Sequence, residues 1–323
     1  MDVFNGLPDP IVIEILNKVG DVKTLLRCIS LSKRFKLLVP QSESLILRLN
    51  HVVTTNESDS PVGNNIFRSL FKSFHGLLSL FSKPTKAIPT TTLSPNIPST
   101  ILSRFNRVRN LDVELPGGDV KVEKDAVVKW KAEFGKTLKS CVVVAFRPAA
   151  TVSSSSPAEA LDGESDAEFV NGLKTRVVWT ISALMAASSR HYLMNQVVKE
   201  HERMESLVMR DKEGEGTVVM ESEGLREYRN TVAREEDVER VERNRRSVVP
   251  SVKMSMRHAP SLKLKNGICL ESAMLVIVSP SEEYSDVGDE EMATEAFARD
   301  CMYGEAVVAL LKRKKNNLEM NSF

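Results

Sequence analysis

Residues Leu7 to Val39, LPDPIVIEILNKVGDVKTLLRCISLSKRFKLLV, carry more apolar side chains than three short helices can hide among themselves. Pro8 stands where a first helical turn tolerates a residue without an N–H. Ile11, Ile15 and Val19 then recur every fourth residue, which predicts one helix. Asp21 is a good N-cap for a second helix carrying Leu25, Leu26, Cys28 and Ile29, and Leu31, Phe35 and Leu38 form a third stripe that Pro40 ends. Helices of about ten residues packed only on one another leave apolar positions uncovered on nearly every side. Something beyond these three helices must cover them.

The order Leu7-Pro8, a run of Ile, Val and Leu, an Asp21-led second helix and then Ser32-Lys33-Arg34-Phe35 resembles the F-box. Phe35 stands where that family usually has Trp, and Gly20 where many members have Pro, so the aromatic anchor and the turn are both kept. The resemblance implies binding to the Skp adaptor of a cullin-RING ubiquitin ligase. Leu7, Pro8, Ile11, Ile15, Leu16, Val19, Leu25, Leu26 and Phe35 are the adaptor-binding residues it implies. Further along, AASSRHYL, the TVVM that follows DKEGEG, VKMSMRHAPSLKL and the closing CMYGEAVVALLKRKKNNLEMNSF resemble one plant group, the auxin-up-regulated F-box proteins. That likeness covers nearly the whole chain and implies a place in auxin response.

A chain of 323 residues with 42% hydrophobic content can bury a sizeable core. We therefore expect an F-box over residues 1–44 and a larger substrate-recognition domain over 45–323. Lys and Arg number 44 against 43 acidic residues, so no global field favours nucleic acid. Cys28, Cys141, Cys269 and Cys301 lack CxxC spacing, and no apolar signal segment precedes Leu7; a reducing nucleus or cytoplasm is expected. Val177 to Ala187, the longest apolar stretch, is interrupted by Thr180 and Ser182 and falls short of the roughly twenty residues a membrane helix needs, so no membrane span is expected.

Leu45, Leu47 and Leu49 alternate with Ile46, Arg48 and Asn50, which predicts a strand leading straight out of the helices and packed with them. Phe67, Phe71, Phe74, Leu78 and Phe81 then step along one helical face. Either that helix faces a core, or with Arg68, Lys72, His75 and Lys83 it meets an anionic membrane surface or a peptide. Mobile loops are expected near 84–99, which holds four prolines, and near 151–168, which is Ser-rich, acidic and either phosphorylated or unregulated. Val108, Leu111 and Val113 share an L-x-x-L-x-L spacing with Leu138, Cys141 and Val143, and with Leu270, Ala273 and Leu275. A connecting helix over Val120–Lys136 would make the first two segments a right-handed parallel crossover. The expectation is an α+β or α/β chain: a three-helix F-box followed by an irregular leucine-rich-repeat-like α/β domain.

From Gly172 to Met209 the chain predicts one broken helix or two, with strands at TVVM, at Val252–Met256 and, buried on both faces, at Ala273–Ser279. Glu221–Ser247 is either a solvated helix laced with ion pairs or a mobile stretch, and the acidic run around Gly288–Glu291 separates the last strand from a final helix carrying Ala306, Val307, Leu310 and Leu311. Lys312–Lys315 suit the helix C-terminus or a nuclear-import signal.

Templates for catalysis fail. His201-Glu202 begins like a zinc-protease helix, but Glu205 stands in place of the second histidine, and no GxGxxG, GxxxxGK[ST] or GxSxG occurs. No catalytic residue, cofactor or metal is expected, and His191 reads as a packed core histidine. Trp179 is expected in the core. The leading expectation is a substrate-recognition subunit of an SCF-type ligase, joined through a Skp-family adaptor to a cullin-RING ligase, with an unidentified protein substrate. A non-degradative F-box scaffold and a small-molecule receptor are the alternatives.

Overall fold

The computed structural model describes residues 3–49, 96–116, 126–148, 166–235, 249–281 and 286–322. The N-terminal segment forms three helices, α1 (Asp9–Val19), α2 (Val22–Cys28) and α3 (Lys33–Leu38). Asp21 caps α2 by accepting the Thr24 N–H at 2.9 Å, and Ser32 caps α3 by accepting the Phe35 N–H at 3.2 Å. Gly20 ends α1 at φ +61°, a left-handed conformation that side chains with a Cβ resist. Its carbonyl accepts the Ile46 N–H at 2.8 Å and so ties the end of α1 to the first strand, β1 (Ser44–Arg48).

Eight more strands follow: β2 (Asn110–Leu115), β3 (Val127–Phe134), β4 (Leu138–Pro148), β5 (Ser206–Asp211), β6 (Gly216–Glu221), β7 (Val252–Lys263), β8 (Cys269–Pro280) and β9 (Asn316–Met320). Together they form one sheet in the order β1-β2-β5-β6-β3-β4-β8-β7-β9. The β1–β2, β2–β5 and β3–β6 pairs are parallel and the rest antiparallel, so the fold is α+β. One register row crosses every strand: Leu47, Val113, Met209, Val218, Ala132, Cys141, Val278, Met254 and Leu318. This apolar row is the floor of the main core.

Helices α4 (Asn96–Leu102), α5 (Asp166–Leu193), α6 (Asn195–Glu200) and α7 (Ser222–Glu235) accompany the first part of the sheet. Trp179, Ala183, Leu184 and Ala187 of α5 share the main core with Val12, Leu16, Val22 and Leu25 of α1 and α2, so the N-terminal helices are continuous with the sheet's own packing. A second core lies where α8 (Asp286–Ala296) and α9 (Cys301–Leu311) supply Ala293, Ala306, Val307 and Leu310 against β4, β7 and β8. Met274, Val276 and Val278 belong to one core and Ala273, Leu275 and Ile277 to the other; β8 is therefore buried on both faces, as its continuous apolar run predicts.

The structure corrects the repeat expectation. The three segments with matched spacing fall on β2, β4 and β8; β4 and β8 are antiparallel neighbours, and β5, β6 and β3 separate them from β2. No parallel leucine-rich-repeat stack is built from them. The helix expected over Val120–Lys136 is, in its described part, strand β3, which turns back on β4 as a hairpin. Val128, Trp130, Ala132 and Phe134 are buried while Lys129, Lys131 and Glu133 alternate with them, a period of two that outweighs the four-residue step from Trp130 to Phe134.

Boundaries move as well. The loop expected to 99 gives way to α4 at Asn96, because Pro98 sits in a first turn where no N–H is needed. α5 begins at Asp166, inside the expected acidic loop, α8 already includes Gly288–Glu291, and the helical run expected to Met209 stops at Glu200, so Val208 lies in β5. β9 was not anticipated. The phenylalanine-rich helix expected over 67–81, and most of the two expected loops, lie outside the described residues.

Candidate functional site

Among the described residues, the segment that carries α1, α2 and α3 presents most of the exposed large apolar side chains. Among the described residues the exposed large hydrophobics are Phe4, Ile11, Val19, Leu31, Leu37, Ile268 and Val308, and the first five of these seven lie in or beside the three helices. Leu31 and Leu37 are 70% and 71% exposed. Isolated exposed leucines are ordinary, but five large apolar groups within one short helical unit are the signature of a surface that another molecule covers.

The side of α1 that carries Ile11, Ile15 and Val19 grades from exposed at both ends to half-buried in the middle. Pro8 is exposed, and Leu7, Leu26 and Phe35 are half-buried. Leu16 and Leu25 are different: at 3% and 0% exposure both are core residues and offer no surface to a partner. Both helices are apolar on more than one side, so spacing alone did not tell the inward stripe from the outward one.

The segment before α1 is held in place by one side chain. The Arg34 guanidinium donates from Nε to Asp9 Oδ1 at 2.8 Å and from Nη1 to the Phe4 carbonyl at 2.6 Å, and Nη2 reaches the Leu7 carbonyl. The Phe4 and Phe35 rings meet edge to face with centroids 5.4 Å apart. Leu7 and Pro8 are thus presented by a clamp from α3. Phe4, Leu31, Leu37 and the clamp were missed as site elements, although Ser-Lys-Arg-Phe had marked the region.

Two reactive side chains elsewhere, Cys141 and His191, are buried in the packing. Burial pushes the Cys141 thiol up to about 12. His191 is buried, stacked on Phe134 with centroids 4.6 Å apart, and its Nε2 lies 3.1 Å from the Gly135 carbonyl; burial pushes its pKa down to about 4, which that bond opposes. His201 and Glu205, of the zinc-protease comparison, sit at the end of α6 and ahead of β5, with Glu205 paired to Arg109 at 2.6 Å. No group of three or more His, Cys, Asp or Glu able to hold a metal occurs among the described residues, and no described helix is long and apolar enough to cross a membrane.

No family model and no solved structure matches the chain. Curated relatives do. F-box protein AUF2 of Arabidopsis thaliana is 76% identical over the whole of both chains, and F-box protein AUF1 of the same plant is 62% identical, again over the whole of both. A further Arabidopsis F-box protein is 34% identical across all of this chain and 94% of its own length. With full-length identity of this order, the chain belongs to the plant F-box proteins, in their auxin-up-regulated group.

Proposed function

We propose that the chain is a substrate-recognition subunit of an SCF-type (Skp–cullin–F-box) ubiquitin ligase. It binds a Skp-family adaptor through α1–α3 and, on the sheet domain behind them, holds a target protein in the setting of auxin response, in the nucleus or cytoplasm. The observation that carries this reading is the concentration, among the described residues, of exposed apolar side chains in and beside the three N-terminal helices, Ile11, Val19, Leu31 and Leu37 above all. The chain supplies no bond-making group of its own. It accelerates ubiquitin transfer by raising the effective concentration of target beside the charged conjugating enzyme, an effect of proximity alone.

Mixing the purified chain with a Skp adaptor and a cullin-RING core tests the proposal. Co-elution as one complex, with ubiquitin transfer to a captured partner, is the expected result. Assembly without transfer favours a non-degradative scaffold, and failure to assemble contradicts the proposal.

A further inference from the structure

The two edges of the nine-stranded sheet are finished differently. At one edge β1 is covered by the turn between α1 and α2, where Asp21 bridges Ile46 and the Gly20 carbonyl takes the Ile46 N–H at 2.8 Å. At the other edge β9, Asn316–Met320, is hydrogen-bonded to β7 alone among the described residues. Edge strands are commonly kept from pairing further by proline, lysine, a bulge or a charge turned inward. β9 has none of these. Its register with β7 is unbroken, and Leu318 and Met320 turn inward, half-buried at the border of the main core. Its single charge, Glu319, is exposed and lies 3.5 Å from Lys253. The direction of the free backbone groups follows from the register. Just ahead of β7 the Ser281 N–H donates to the Ser251 carbonyl at 2.8 Å, so Ser251 turns its backbone groups towards β8. Successive residues of an antiparallel strand face opposite neighbours, so Val252, Met254 and Met256 face β9, and Met320, Leu318 and Asn316 face back. The N–H and C=O groups of Asn317 and Glu319 therefore point out of the sheet, and they find no hydrogen-bond partner among the described residues.

These outward groups match a second copy of the same strand. With two β9 strands antiparallel about a two-fold axis at Leu318, Asn317 of each copy lies opposite Glu319 of the other. Both are outward-facing positions, so the pair closes four backbone hydrogen bonds and leaves no outward group of either strand unpaired. The Asn317 side-chain amide sets a donor beside the Glu319 carboxylate across the joint, and no like charges are opposed. Other two-fold registers fit less well. Glu319 against Glu319 sets like charges side by side, and Asn317 against Asn317 leaves Glu319 opposite Lys315, which lies outside the strand. Leu318 meets its own counterpart as a non-hydrogen-bonded pair, where side chains approach most closely, and the apolar row of the main core continues across the joint. We infer that β9 is a self-association edge through which two copies of this chain join their sheets into one. Five residues a side bury far less than about 1,200 Å², so the association is weak and depends on concentration. β1 lies eight strand spacings from β9, roughly 38 Å, so the dimer leaves both N-terminal apolar surfaces open and does not rest on the adaptor reading.

Sedimentation equilibrium of the full-length chain in reducing buffer, over about 1 to 100 μM, tests this; the mass should rise from that of one chain towards twice that value. Asn317→Pro removes one outward N–H from each copy, and so two of the four hydrogen bonds, while the pairing of β9 with β7 keeps its own donors. Association should weaken at least about tenfold. Leu318→Cys reads the register directly. In the two-fold pairing its Cα atoms stand about 4.5 Å apart, close enough for a disulfide, whereas those of Asn317→Cys, two residues out of register, stand beyond about 7 Å. With diamide as the oxidant, Leu318→Cys should give covalent dimer several-fold above both Asn317→Cys and the wild type, whose own Cys28, Cys269 and Cys301 set the background. Should Asn317→Pro fail to fold, as circular dichroism would show, the crosslinking comparison decides. The mass of one chain at every concentration, which would leave β9 to an extended segment of a different protein, overturns the inference. So does a dimer undiminished in folded Asn317→Pro, or equal crosslinking of the two cysteine variants.

Discussion

Arg34 on α3 and Asp9 at the start of α1 meet at 2.6 Å, and through that contact α3 fixes the path of the chain that carries Leu7 and Pro8. The pair is partly exposed, at 30% and 59%, so its worth to global stability is under about 1 kcal/mol. On the proposed adaptor reading its worth to binding is greater, because without the clamp an adaptor would have to order the segment Phe4 to Pro8 as it docks. Arg34→Ala should weaken adaptor affinity by about tenfold while the melting temperature barely moves, and Arg34→Lys should not rescue it, since an ammonium cannot span Asp9 and two carbonyls at once. Calorimetric titration with the adaptor, alongside thermal melting, checks this; unchanged affinity would show that the segment orders itself.

A second ion pair has the opposite energetics. Arg190 and Asp211 are 3% and 5% exposed, joined at 3.0 Å, with the Arg190 guanidinium 4.7 Å from the centre of the Trp130 ring. Asp211 also accepts the N–H groups of Glu215 and Gly216 at 2.6 and 2.7 Å, closing the turn from β5 to β6. Arg190→Met leaves a buried carboxylate without its cation and should cost about 3 to 5 kcal/mol. Denaturant unfolding gives the number, and a loss below about 1 kcal/mol would mean water reaches the pair.

Close packing at Gly216 makes a third prediction. A Cβ there would lie 2.4 Å from the Trp130 ring and 2.8 Å from Arg190, so Gly216→Ala should destabilise the chain by about 1 to 3 kcal/mol. Gly6→Ala meets nothing within 4 Å and serves as the neutral control. Trp179→Ala, at a residue 4% exposed in the main core, should cost about 3 to 5 kcal/mol. An unchanged melting temperature for either Gly216→Ala or Trp179→Ala would contradict the packing described.

The fourth prediction concerns acid. Burial holds His191 neutral in the fold, with its pKa at about 4, while the same imidazole in the unfolded chain takes up its proton near its ordinary 6.5. The unfolded state therefore binds more protons between those values. His191's contribution is fully present above pH 6.5, declines as pH falls towards 4 and is gone below, a total of about 3 kcal/mol. Burial lowers His201 as well and acts in the same direction. His191→Gln should flatten the wild-type stability slope across that window in urea titrations; parallel slopes would place His191 in contact with water.

Much of the sheet is legible in the sequence, and the reasons are local. Leu45 and Leu47 alternate into one core, and the apolar run from Ala273 to Val278 reads as a strand with no wet face. β3 is ambiguous in sequence because Trp130 and Phe134 also satisfy a helical step, and only their strand partners decide between the two. β9, Asn316–Met320, carries too little apolar character to be seen from its own residues; its place comes from pairing with β7. At the N-terminal surface the sequence marks the region and even the helix caps. It does not say that Leu38 turns inward while Leu37, its neighbour, faces water, nor that Arg34 reaches back over twenty-five residues to Asp9. Those facts belong to tertiary packing, as does the pairing of Arg190 with Asp211.

The most direct test of the adaptor reading compares the wild-type chain with Pro8→Ala/Ile11→Ala in a quantitative pull-down with a Skp adaptor. Both positions are exposed, so the double variant should melt as the wild type does. If they anchor the interface at about 2 kcal/mol or more in total, affinity should fall at least about thirtyfold. Binding by the wild type with such a loss in a folded variant is the predicted result. Wild-type affinity in the variant would contradict the placement of the interface on α1, and a wild-type chain that binds no Skp adaptor would contradict the adaptor function itself.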